Sequence, residues 1–129
     1  MRLLLDTRAF LWWRDDSRRL GPDVRQAIAT AAPCFVSAAS GWEVALKMRA
    51  GKIRLPGPFA DAVTESRMDP LPVTLLHAAA AAELPDYHAD PFDRLLVAQA
   101  RLEGLTLVSH DRRLEPYKIP ILWIGQSRP

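Results

Sequence analysis

Four short apolar runs punctuate the chain. LLLD (3–6), CFVS (34–37) and TLVS (106–109) are each bounded by turn or capping residues, and ILWI (121–124) lies near the end. Runs this short and uniformly apolar suit strands buried on both faces of a parallel sheet, where no polar alternation is needed. Helical segments lie between them. PDVRQAIATA (22–31) opens with proline in its first turn, where the missing N–H costs nothing. SGWEVALKMRAG (40–51) ends on Gly51, a C-cap residue. PFADAVTESRM (58–68) follows, then LLHAAAAAEL (75–84), whose alanines are strong helix formers. In PFDRLLVAQARLEG (91–104), Leu95, Leu96, Ala98, Gln99 and Leu102 fall near helical spacing. Pro70 and Pro72 flank Leu71, so that stretch is at best a short edge strand. Strands alternating with helices predict an α/β domain with a parallel sheet, and in such sheets sites form beyond the carboxyl ends of the strands.

Composition narrows the class. A length of 129 residues argues for one domain spanning residues 1–129, and 49% apolar residues suffice for a core. No run approaches the ~18 apolar residues of a membrane span. The opening MRLLLDTRAFLWWRDD is interrupted by Asp6 and Arg8 and lacks a small-residue cleavage site, so it reads as a buried strand and a short helix rather than a signal peptide. A single cysteine, Cys34, excludes an internal disulfide and a Cys-rich zinc site. Together these features predict a cytoplasmic protein. The net charge is +2, with arginine pairs at Arg18-Arg19 and Arg112-Arg113. Such clusters suit phosphate contact, but charge alone argues for no more than a solvated basic surface.

The acids fall in a pattern. Asp6 closes the first strand, and Asp111 lies two residues past TLVS. Glu43 falls in the first turn of the helix after CFVS, and Asp93 in the first turn of the helix before TLVS. Each has an architectural explanation. Asp90-Pro91-Phe92-Asp93 and Ser40-Gly41-Trp42-Glu43 both have the form of a capping box, and Asp6 and Asp111 suit caps of the turns that follow them. Acids near helix N-termini gain roughly 0.3–1 kcal/mol from the macrodipole. Chemistry enters only if all four converge, because clustered carboxylates cannot all stay ionised unaided. A hard divalent cation such as Mg²⁺ or Mn²⁺ resolves that conflict and can activate water towards a phosphodiester. Competing motifs are missing: there is no P-loop, GxGxxG or HExxH. His77, His88 and His110 are too scattered to suggest a zinc motif. His77 reads as structural, and His110, beside Asp111, as a possible support for that acid. Ser37, Ser40 and Ser109 lack a nucleophile-elbow context.

Asp6 in LLLDT, Glu43 in SGWEVALK, Asp93 in DPFDRLLVAQA and Asp111 in LVSHD resemble the PIN domain, and more closely the VapC-like ribonuclease toxins of type II toxin–antitoxin pairs. The resemblance runs from about residue 2 to residue 124. It implies a three-layer α/β/α sandwich around a central parallel β-sheet. It implies a Mg²⁺- or Mn²⁺-dependent endoribonuclease acting on tRNA or rRNA, a homodimer, and a cognate antitoxin as partner. It assigns Asp6, Glu43, Asp93 and Asp111 as metal-site and catalytic carboxylates, with Asp6 the expected direct ligand because a strand end holds it rigidly. Asp90 is then the helix N-cap, close enough to act behind the ligands. Hydrolysis by an activated water would leave 5′-phosphate and 3′-hydroxyl ends.

Thr7 and Ser109 are either hydrogen-bond donors to this site or helix-start residues. Lys47 shares a helix face with Glu43, so it either pairs with an acid or touches phosphate. Arg8, Arg112 and Arg113 are candidates for RNA-backbone contact. Of Trp12 and Trp13, at least one is expected in the core and the other at an interface; Trp42 and Trp123 are expected in core or interface. The alternatives are a catalytically silent PIN-like module binding RNA or protein, a phosphatase, and a structure-selective DNA nuclease. The complete set of acids argues against the first. Arg8, two residues after Asp6 where an aspartyl-phosphate enzyme wants Asp, argues against the second. The short chain argues against the third.

Overall fold

A computed structural model describes residues 1–125. The elements run β1 (Leu3–Leu5), α1 (Thr7–Arg14), α2 (Pro22–Thr30), β2 (Cys34–Ser37), α3 (Ala38–Arg49), α4 (Phe59–Glu65), β3 (Asp69–Leu71), α5 (Leu75–Glu83), α6 (Pro91–Glu103), β4 (Thr106–Ser109) and β5 (Ile121–Trp123). Single 3-10 stretches cover Arg18–Leu20 and Arg112–Tyr117. All strands are parallel, in the order β3-β2-β1-β4-β5.

The central strand explains the layering. Leu3, Leu4 and Leu5 are completely buried, although successive side chains point to opposite faces. Leu3 and Leu5 pack with Phe10 of α1, Val24 and Ile28 of α2, and Val63 of α4. Leu4 packs with Ala81 of α5 and with Leu96, Val97 and Ala100 of α6. Both faces are therefore covered, and the architecture is the three-layer α/β/α sandwich with a parallel sheet. Gly104 ends α6 in the left-handed region, at φ +66°, where a side chain would be strained. The doubly proline-flanked stretch forms β3 at the sheet edge, pairing with β2, where a missing N–H is tolerated.

One expected boundary is corrected. Helix α3 follows β2 without a loop, so its cap is Ser37, whose Oγ accepts the Ala39 N–H at 2.9 Å. Ser40 is a buried residue inside the helix, and Glu43 falls in the second turn rather than the first. The Ser40–Glu43 capping box does not form.

The turn between α5 and α6 is fastened by Arg94. Its Nη2 donates to the carbonyls of Ala81 (2.9 Å) and Leu84 (2.8 Å) at the end of α5. Its Nη1 donates to Pro85 O (3.0 Å), His88 O (3.3 Å) and Tyr117 Oη (3.3 Å). Truncation would leave several carbonyls unpaired. Arg94→Met is expected to cost about 2–4 kcal/mol of unfolding free energy, measured by urea titration. A loss below about 0.5 kcal/mol would show that water replaces the guanidinium freely.

Candidate active site

The chain adds strands to one side of β1 through β2 and β3, then returns to β4 on its other side. The crevice at the carboxyl ends of β1 and β4 is thus the topological switch point. Asp6 stands at the end of β1, its N–H extending the ladder to Val108 O at 3.0 Å. Its carboxylate caps α1 by accepting the Ala9 N–H at 2.7 Å. Asp6 is only 6% exposed. Burial pushes its carboxyl up to about 6, and the charge of Glu43 adds to the rise; the Ala9 N–H, the Ser109 hydroxyl and Arg8 oppose it.

Glu43 reaches the cleft from α3. Thr7 Oγ1 lies 2.7 Å from its Oε1 and 2.8 Å from Ser40 Oγ. A hydroxyl has one proton and a carboxylate only accepts, so Thr7 donates to Glu43 and accepts from Ser40. Lys47 Nζ lies 2.8 Å from the second oxygen, one helical turn on. Ser109 Oγ accepts the Asp111 N–H at 3.1 Å, and its hydroxyl also favours the Asp6 carboxylate, which relates the ends of β4 and β1.

Asp90 and Asp93 take different roles at the start of α6. Asp90 Oδ1 accepts the N–H of Phe92 (2.8 Å) and of Asp93 (3.3 Å), which makes it the N-cap. Asp93 directs Oδ2 to His88 Nε2 at 2.9 Å, so only half of the expected capping box is built. Burial, then the charges of Asp90 and Asp6, push the Asp93 carboxyl up to about 6, against the pull of His88. Asp111 lies on the other side of the same ring nitrogen, with Oδ2 at 3.1 Å. Arg113 grips Asp111 through Nε (3.0 Å), Nη2 (2.9 Å) and its backbone N–H (3.0 Å). That grip holds the Asp111 carboxyl below its usual range.

All four acids line one cleft of about 670 Å³, together with Thr7 and Asp90. Cationic side chains, Arg8, Lys52 and Arg112 among them, line it as well. Among the described residues, the set able to offer one donor atom each within 4.8 Å of one another is His88, Asp93 and Asp111. Asp6 lies outside that set, though its charge acts on Asp93. The PIN domain profile matches residues 3–119.

The chain belongs to the PIN domain family. It is similar to Ribonuclease VapC22 of Mycobacterium tuberculosis, at 33% identity over 121 residues, covering 92% of this chain and 93% of that protein. Its fold resembles VapBC2 from Rickettsia felis bound to a promoter DNA fragment (TM-score 0.70, 12% identity, 97% of this chain and 100% of that one). It also resembles a toxin–antitoxin complex from Klebsiella pneumoniae (TM-score 0.66, 18% identity, 93% and 95%). This PIN domain is VapC-like. Among its described residues, no helix is long and apolar enough to cross a membrane.

The residue of this PIN domain that sequence reasoning passed over is His88. It stands two positions before the capping Asp90, in a turn too short to carry it far from Asp93; that proximity was the available signal. His110 is exposed on the wall of the same cleft, its ring 5.2 Å from that of Trp12, and lies outside the cluster of close donors. His77 is structural: Nδ1 accepts the Thr74 N–H at 3.0 Å, and Nε2 lies 2.8 Å from Glu103. Trp12 and Trp13 are both half-buried against the core. Trp123 is half-buried under the Arg112 guanidinium, 4.4 Å from its ring centre. Trp42 is 63% exposed and lies outside the core.

The raised acids set the sign of a stability effect. Asp6 and Asp93 hold protons more tightly folded than unfolded, so their contribution is most favourable below pH 4 and is lost as pH rises through about 6. At pH 7.5 in EDTA, Asp6→Asn, which keeps the cap, is expected to raise stability by roughly 1–3 kcal/mol. The advantage should shrink as pH falls to 5, as followed by thermal denaturation. Asp111→Asn should destabilise under the same conditions, because its carboxylate is favoured by Arg113. Equal effects of the two variants would contradict this assignment.

Proposed function

We propose that this VapC-like PIN domain is a divalent-metal-dependent endoribonuclease acting on tRNA or rRNA, the toxin of a toxin–antitoxin pair. The observation that carries the reading is the convergence of Asp6, Glu43, Asp93 and Asp111 on one cleft at the switch point, beside cationic side chains. The donors fit a hard divalent cation: two carboxylate oxygens and an imidazole nitrogen already lie together, with the buried Asp6 charge close by. Such an ion, when bound, lowers the pKa of water and offsets charge on the reacting phosphate.

The chain's own residues do the rest. Asp93 and Asp111 would hold the ion, with Asp6 reaching it as a further ligand from the end of β1. Arg8, Lys52 and Arg112 take the phosphates flanking the scissile bond, which positions RNA without reading its bases. Lys47 balances Glu43 and keeps it from adding an uncompensated charge. As water attacks phosphorus the P–O3′ bond breaks; the water gives up a proton to solvent and the departing 3′-oxygen takes one up, which leaves 5′-phosphate and 3′-hydroxyl ends. The relative named as a ribonuclease supports RNA as substrate. A structural relative solved as a toxin–antitoxin complex supports an antitoxin partner. Exposed Trp42 and Leu46 on α3, and Leu75 and Leu76 at the start of α5, offer apolar surface to a second copy in a homodimer.

The test is incubation of purified protein with tRNA and ribosomal RNA in Mg²⁺, Mn²⁺ or EDTA. Discrete metal-dependent fragments with 5′-phosphate ends are expected. Asp93→Asn should lose at least about 100-fold in rate, and Asp90→Asn, which keeps the cap, should stay within a few-fold. Folded protein that neither cleaves RNA nor gains thermal stability from either metal would point instead to a silent binding module.

A further inference from the structure

We propose that His88 ligates the cation through Nε2 and that this nitrogen biases the site towards Mn²⁺ over Mg²⁺. The inference rests on the reading of the cleft as a cation site and names a donor beyond the four acids.

The first argument is geometric. His88 Nε2 lies 2.9 Å from Asp93 Oδ2 and 3.1 Å from Asp111 Oδ2. Neighbouring ligands of an octahedral ion with bonds of about 2.1 Å stand about 3 Å apart. Both contacts to His88 have the spacing of neighbouring ligands on one ion, and the three residues offer donor atoms all within 4.8 Å of one another. Hydrogen bonding alone accounts less well for the arrangement, since one Nε2 proton cannot be given fully to two carboxylates. A cation bonded to all three atoms satisfies both acids at once. The ring then carries its proton on Nδ1, and the Nε2 lone pair is free to bind.

The second argument is preorganisation. The His88 ring is buried, and both backbone polar groups are held: its N–H donates to Tyr117 Oη at 3.2 Å, and its carbonyl accepts from Arg94 at 3.3 Å. Asp93 is fixed by the capped start of α6, and Asp111 by Arg113. Partners of this kind hold ligands in place before metal arrives. The third argument is charge. Asp6 and Asp90 already repel the charge on Asp93, so a neutral nitrogen adds a donor without adding an anion. Imidazole is a good ligand for first-row transition ions, whereas Mg²⁺ takes oxygen.

The experiment measures metal and protein without RNA. Electron spin echo spectra of Mn²⁺-loaded protein should show coupling to a directly bound nitrogen. His88→Gln and His88→Asn, checked for folding by circular dichroism, should lose it, while His110→Ala keeps it. Calorimetric titration should show Mn²⁺ binding weakened about 10–100-fold in the His88 variants, with Mg²⁺ binding changed less. Wild-type protein that binds Mn²⁺ without nitrogen coupling, or His88 variants that bind it equally or more tightly, would overturn the proposal and leave His88 as a hydrogen-bonding clamp. Wild-type protein that binds neither ion would overturn the cation site as well. Intact coupling without RNA cleavage would overturn only the nuclease reading.

Discussion

The Arg94 guanidinium is the joint on which the cleft depends. It is a mostly buried cation surrounded by oxygens, most of them carbonyls, drawn from three places. The last turn of α5 supplies two of them, where a cation also meets the negative end of the helix dipole. The turn at residues 85–90 supplies others, including the carbonyl of His88. Tyr117, at the end of the 3-10 stretch that Asp111 begins, closes the set; its hydroxyl donates to Pro85 O at 2.8 Å and accepts the His88 N–H. One side chain on α6 thereby ties the segments bearing His88, Asp93 and Asp111 to a common frame. The α6 cap fixes Asp93 and Arg113 fixes Asp111; Arg94 and Tyr117 add the turn that brings His88 to both.

That frame holds charges together against their repulsion. The acids gather because β1 and β4 are neighbours and each leads an aspartate out of its carboxyl end. Burial raises Asp6 and Asp93, while Lys47 and Arg113 each neutralise one partner near the rim. Among the described residues, no lysine or arginine forms an ion pair with Asp6 or Asp93. Such an arrangement costs stability, as the proposed cation site requires. The capping roles do not compete with this reading. Asp6 uses one oxygen for the Ala9 N–H, which fixes its direction and leaves the carboxylate at the cleft.

The parts legible in the sequence were those set by local physics. Leu3 to Leu5 and Thr106 to Ser109 read as strands because both faces of the sheet are covered, so each run is apolar without alternation. Asp90 read as a cap because proline followed it at the first helical position. Ser40 was misjudged because its spacing to Glu43 mimics a capping box; β2 passes straight into α3, so Ser37 takes the cap and Ser40 turns inward to Thr7. His88 was missed for a different reason. No spacing rule relates it to Asp111, and the two meet only because Arg94 and Tyr117 fold the turn back over the end of β4. Pairings made by tertiary hydrogen bonds leave no periodic trace.

The most direct test of the central claim, that these residues form a divalent-cation site, is an anomalous difference map from crystals grown with Mn²⁺. The account expects a peak in the cleft at the carboxyl ends of β1 and β4, bonded to Asp93 and Asp111, with the carboxylates close to their present positions. A cleft without a peak at saturating Mn²⁺, or a peak bound only by surface acids elsewhere, would contradict it.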